Sequence, residues 1–118
     1  MKRDMDLVRE VLLQVEKRSY RDAGKPVCLN GRSEEDISYQ VKLMHQAGLI
    51  EAIDASTRAG LNWLPMSLTW DGHEFLDAAR DDTRWNRTKT LVAEKAGIVG
   101  FEILKQALVA MAKQAMGL

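Results

Sequence analysis

Apolar residues recur at three- and four-residue steps from the start of the chain: Met5, Val8, Leu12 and Val15, with Leu7 and Val11 beside them. That spacing lays one buried stripe along about four helical turns and predicts a first helix over Asp4 to Arg18. Asp4 and Asp6 at its start and Lys17 and Arg18 at its end oppose the helix dipole. From Ser19 to Arg32 the period vanishes. Gly24, Pro26 and Asn30-Gly31 bound a short run, Val27-Cys28-Leu29, that predicts one brief strand.

Ser33 followed by Glu34, Glu35 and Asp36 has the order of a capped helix start, since the hydroxyl can accept backbone N–H bonds and acids favour the positive end. Ile37, Val41 and Met44 then share one side, so a second helix is predicted over Glu34 to Ala47, closed by Gly48. Leu49 to Ala55 and Asn62 to Trp70 are extended apolar segments joined by polar Ser56 to Gly60, the pattern of a hairpin. Thr69 caps a third helix from Trp70, with Phe75, Leu76 and Ala79 inward. Helical character continues through Asp81 to Lys89, with a bend expected near Trp85 to Thr88. Beyond Gly97, the segment Ile98 to Leu118 carries a heptad-like seam of Phe101, Leu104, Leu108, Met111, Ala115 and Leu118. The expected class is α+β, mostly α: helix, short strand, helix, β-hairpin, then added C-terminal helices. The expected division is a body over 1–96 and an apolar helix over 97–118, hinged at Ala96-Gly97.

Composition adds exclusions. With 118 residues, 46% apolar and 29% charged, the chain is long enough to bury a core without disulfide or metal staples. The first residues place acids directly after bases and lack a signal peptide's apolar stretch, so the cytoplasm is the expected compartment. Glu102, Lys105 and Lys113 argue against a membrane span in the last helix. Cys28, the one cysteine, reads as a small core residue, and at least two of Trp63, Trp70 and Trp85 read as core anchors. His73 and Asp77, four apart, read as a helix-surface hydrogen bond; no metal, cofactor or catalytic constellation is expected. Net charge is zero, but residues 1 to 32 carry eight bases and five acids, whereas 33 to 60 carry two bases and five acids. Any basic face must draw on the N-terminal third.

Two blocks carry a resemblance. Ile37 to Ile50, ending Ala47-Gly48-Leu49-Ile50, resembles the recognition helix and following strand of winged-helix transcription regulators, and Leu68-Thr69-Trp70-Asp71-Gly72-His73-Glu74-Phe75-Leu76 resembles the block that closes their wing. Met1 to Leu7, the Leu68 to Asp77 block and its continuation Ala78 to Trp85 are similar to an uncharacterised bacterial and phage-associated family catalogued as a domain of unknown function, number 2513. The winged-helix resemblance implies a DNA-binding regulator of bacterial or prophage genes. The chain departs from that pattern where the helix before the recognition helix should stand, because Ser19 to Arg32 holds two turns and a strand-like run. That missing helix normally buttresses the recognition helix across the phosphate backbone.

Candidate contacts to double-stranded DNA are Arg32, Ser38, Tyr39, Lys42, Gln46 and, at the hairpin tip, Arg58, with the three acids at the second helix's start opposing phosphate. The alternative is a non-catalytic protein–protein interaction module on the same frame, motivated by the neutral charge and the missing buttress. One subunit can cover only one side of so apolar a last helix. Phe101, Leu104, Leu108, Met111 and Ala115 therefore predict a homodimer seam, with packing inside one subunit as the other solution.

Overall fold

A computed structural model describes residues 1–96, 101–115 and 117. The fold is α+β and mostly helical: α1 (Met5–Lys17), a 3-10 turn (Tyr20–Asp22), α2 (Glu34–Gln46), β1 (Ile50–Asp54), β2 (Trp63–Leu68), α3 (Trp70–Ala79), α4 (Asp82–Ala96) and α5 (Phe101–Ala115). The chain divides into two compact units, 1–73 and 74–118. Of the expected hinge at Ala96-Gly97, Ala96 is the last residue of α4 and Gly97 lies outside the described residues. Among the described residues no helix is long and apolar enough to cross a membrane.

In the first unit, the Asp4 carboxylate caps α1 by accepting the Leu7 N–H at 3.1 Å. All six residues of the expected stripe, Met5, Leu7, Val8, Val11, Leu12 and Val15, are buried; each large side chain removed from water contributes roughly 1.5–3 kcal/mol. Ser33 caps α2 through the Asp36 N–H, and Ile37, Val41 and Met44 face inward as the spacing predicts. The helix closes in a Schellman turn: Gly48, at φ +77°, donates to the His45 carbonyl, and Leu49 donates to the Met44 carbonyl.

The two strands pair antiparallel, Ile50 with Leu68 and Glu51 with Ser67, and then the register shifts so that Ala52 faces Pro65. Met66 is the extra residue, which lets Pro65, having no N–H to give a ladder, enter the strand at an irregularity. At the tip Thr57 and Gly60 exchange both backbone bonds, leaving Arg58 at the exposed corner.

The Leu68 to Leu76 block acquires a physical reason. The Thr69 hydroxyl accepts the Gly72 N–H and donates to the Gly48 carbonyl, while the Thr69 N–H reaches the Leu49 carbonyl. The start of α3 is thereby held so close to the α2–β1 turn that a methyl group at Gly72 would overlap the Leu49 carbonyl oxygen. Thr69 and Gly72 are one joint.

Several expectations fail. Val27-Cys28-Leu29 forms no strand, and Cys28 is exposed while Val27 is the buried member. Among the described residues no strand pairs with the run, so its β-propensity has nothing to act on. Only Trp85 is a core anchor: Trp63 is half-buried and Trp70 is 80% exposed. The helical break comes at Arg80-Asp81, not at Trp85 to Thr88, because the Asp81 carboxylate caps a new helix through the Arg84 N–H at 2.7 Å.

In the second unit, Phe75 meets Trp85 edge-on (6.3 Å between centroids, 90°) and Phe101 at 5.3 Å. Helix α5 packs on α4, with Leu104 and Leu108 fully buried and the buried Thr88 hydroxyl donating to Met111 Sδ. Lys89 lies over the Trp85 ring at 5.5 Å.

Candidate interaction face on the second helix and hairpin

Helix α2 and the hairpin that follows it are fixed to each other by polar contacts, and those contacts decide which side chains remain for a partner. Ser38, expected on the outer face, turns inward: it is buried, and its hydroxyl accepts the Trp63 N–H at the start of β2. Gln40, not among the expected contacts, is also buried. Its Oε1 accepts the Asp4 N–H at 3.0 Å and its Nε2 donates to the Lys2 carbonyl at 2.8 Å, tying the N-terminus to α2. The signal for Gln40 was its position: 37, 40, 41 and 44 are one stripe at helical spacing, so a polar residue at 40 had to be buried and paired.

Arg32 is likewise committed. Its guanidinium lies 3.0 Å from the Asp4 carboxylate and 3.7 Å from that of Glu10, so its charge is answered within the chain. Arg18, at the end of α1, donates to the carbonyls of Asp22, Lys25 and Pro26 and so shapes the loop in which a buttress helix was missing; one 3-10 turn, Tyr20–Asp22, stands there.

Four of the six candidate contacts remain outward. Tyr39 and Lys42 are half-buried and Gln46 is exposed on α2, while Arg58 is exposed on the hairpin. His45 stacks obliquely on Trp63 at 5.5 Å. Near Lys42 lies Asp54, whose carboxyl is held below the usual carboxylate range by hydrogen bonds from Ser56 and, more weakly, by the Lys42 charge. Against Lys42 and Arg58 stand the exposed carboxylates of Glu34, Glu35, Asp36, Glu51 and Asp54. The face is acidic at the helix start and mixed toward the helix end.

Between the N-terminal half of α2, the irregular run from Pro26 to Cys28 and the hairpin tip lies a cleft of ≈ 400 Å³, within the range of about 300–1,000 Å³ common for ligand sites. Val27, Ile37, Leu61 and Trp63 give it apolar walls, and Glu34 is its one charged lining residue among the described residues. Among the described residues no three His, Cys, Asp or Glu side chains gather as a metal centre would require.

Of the seam residues, Leu104 and Leu108 are buried, Phe101 lies against Phe75, and Met111 receives the Thr88 hydroxyl, all within one chain. The side chain of Ala115 and residue Leu118 lie outside the described residues. The α5 side chains left in water include Glu102, Ile103, Gln106 and Lys113.

Comparison with known proteins gives a family without an activity. The profile of a family described as "Hypothetical protein (DUF2513)" matches residues 2–98. A protein of Haemophilus influenzae, described as "Uncharacterized protein", is 42% identical over 107 residues, which cover 90% of this chain and 91% of that protein. No solved structure matches the chain.

Proposed function

The chain belongs to the family of hypothetical proteins DUF2513, and from that premise we propose that it is a non-catalytic protein-interaction module on a winged-helix-like frame, with α2 and the hairpin as its working face. The order helix, turn, helix, hairpin and closing block supports the frame. The observation that carries the interaction reading is what has happened to the DNA contacts at the start of α2. Arg32 is neutralised by Asp4 and Glu10, Ser38 lies beneath Trp63, and Glu34, Glu35 and Asp36 stand in water at the end that would enter a groove. Phosphate binding draws its affinity from uncompensated Lys and Arg, so this end would repel a duplex.

A second reading is a duplex-DNA-binding regulator of bacterial or prophage genes. Tyr39, Lys42 and Gln46 on one helix and Arg58 at the tip favour it, because they are the side chains left outward where such regulators touch DNA. Titration of a labelled duplex separates the two. At about 50 mM salt the natural chain should leave the duplex unbound up to roughly 10 µM, and replacing all three acids (Glu34→Lys, Glu35→Lys, Asp36→Lys) should create salt-dependent binding. Steeply salt-dependent binding by the natural chain, weakened by Lys42→Ala or Arg58→Ala, would overturn the interaction reading.

A further inference from the structure

The run that forms no strand is tied by hydrogen bonds on both sides. Before it, Gly24 donates to the Pro65 carbonyl at the edge of β2, and Arg18 holds the carbonyls of Lys25 and Pro26 at 2.7 Å each; after it, Arg32 donates to the Leu29 carbonyl. Between these ties, among the described residues, the backbone N–H and C=O groups of Val27 and Cys28 meet no hydrogen-bond partner in the chain. Unpaired backbone next to apolar surface is costly unless water or another chain supplies the bonds. Both residues line the cleft, together with the hairpin tip around Leu61.

We propose that this cleft takes an extended segment of a partner protein, hydrogen-bonded to the Val27–Cys28 backbone as a short added strand, with a Lys or Arg side chain set against Glu34. The proposal rests on the interaction-module reading and gives its partner a chemistry. Charge selects the occupant: among the described residues Glu34 is the charged one lining the cleft, Glu35 and Asp36 follow it in sequence, and no Lys or Arg joins it there. Strand addition supplies backbone bonds and leaves side-chain pockets to set specificity. Here the pockets are the apolar walls of Ile37 and Trp63 and the carboxylate of Glu34. A nucleic acid would meet the wrong charge.

Cys28 makes the test site-specific, because it is the sole thiol of the chain and an exposed one on the cleft wall. The rate at which the full chain reacts with a disulfide thiol reagent is measured with the capped peptide Thr-Val-Arg-Val-Thr-Val, and with its Glu-for-Arg counterpart. The Arg peptide should slow the reaction by about tenfold once its concentration is ten times the half-saturation value, while the Glu peptide should leave the rate unchanged. Glu34→Gln, checked for an unchanged far-ultraviolet spectrum, should raise the half-saturation concentration by roughly tenfold, as expected for losing a charge-assisted bond. An unchanged rate with the Arg peptide, equal protection by the Glu peptide, or indifference to Glu34→Gln would each overturn the proposal. The duplex titration is read separately: silence in both assays removes the cleft and leaves the interaction module standing, whereas duplex binding removes the module.

Discussion

At the scale of single residues, the tightest of the described glycines is Gly72, whose backbone lies against the Leu49 carbonyl with no room for a side chain. Gly72→Ala should destabilise the chain by roughly 3 kcal/mol, the upper end of overpacking costs, measured as a lowered urea midpoint at constant slope. A change below about 0.5 kcal/mol, the range of ordinary surface substitutions, would show that α3 can move away from the turn. Ser38→Ala leaves the Trp63 N–H without its acceptor and should cost about 1–3 kcal/mol by the same measurement. Asp22, half-buried, and Asp54, exposed, are carboxylates whose acid strength is raised by Lys25 and by Ser56, respectively. A carboxyl depressed in the folded state stabilises it at neutral pH, and that contribution is lost as pH falls from the unfolded value through the folded one. Their titration by NMR should therefore show midpoints below the model-peptide range.

Residue identity alone was an uneven guide. The Leu-Thr-x-x-Gly block was legible as a motif, but its reason is a close approach between two distant segments that no local pattern encodes. Residue type misleads at Cys28 and Trp70 because it sets the tendency to be buried, not the outcome; their neighbours Val27 and Thr69 are the ones that turn inward or tie the joint. The pattern places Ser38 on the outer side because a small polar residue next to the apolar stripe can serve either face, and only the approach of Trp63 selects one.

At the scale of elements, α1, α2 and both hairpin strands were readable to within about two residues, because period, caps and turn residues agree there. The strand at 27–29 was not, since strand propensity needs a partner strand and none pairs with it among the described residues. The break between α3 and α4 was readable in principle: Asp81, three residues before Arg84, is a capping residue that the apolar period does not register. Helix α5 tests the heptad seam. Leu104 and Leu108 are buried within a single chain against α4, so Leu108→Ala should cost roughly 2–5 kcal/mol. The loss should be the same at any protein concentration; a melting temperature rising steadily with concentration would show instead that the seam is completed by a second subunit.

At the scale of the whole molecule, neutral net charge conceals a sorted distribution. Arg18 and Arg32, two of the bases in the N-terminal third, are bound to loop carbonyls and carboxylates, while the acids at the start of α2 face water. With these bases committed and the acids outward, the face proposed on α2 and the hairpin suits a polypeptide rather than a duplex. The most direct measurement is photo-crosslinking in the native cell with benzoylphenylalanine at exposed Gln46 on α2, and at exposed Gln14 on α1 as the control. A discrete protein adduct from position 46, absent from position 14 and weakened by Glu34→Gln, is the predicted result; a nucleic-acid adduct from position 46, or the same products from both positions, would contradict it.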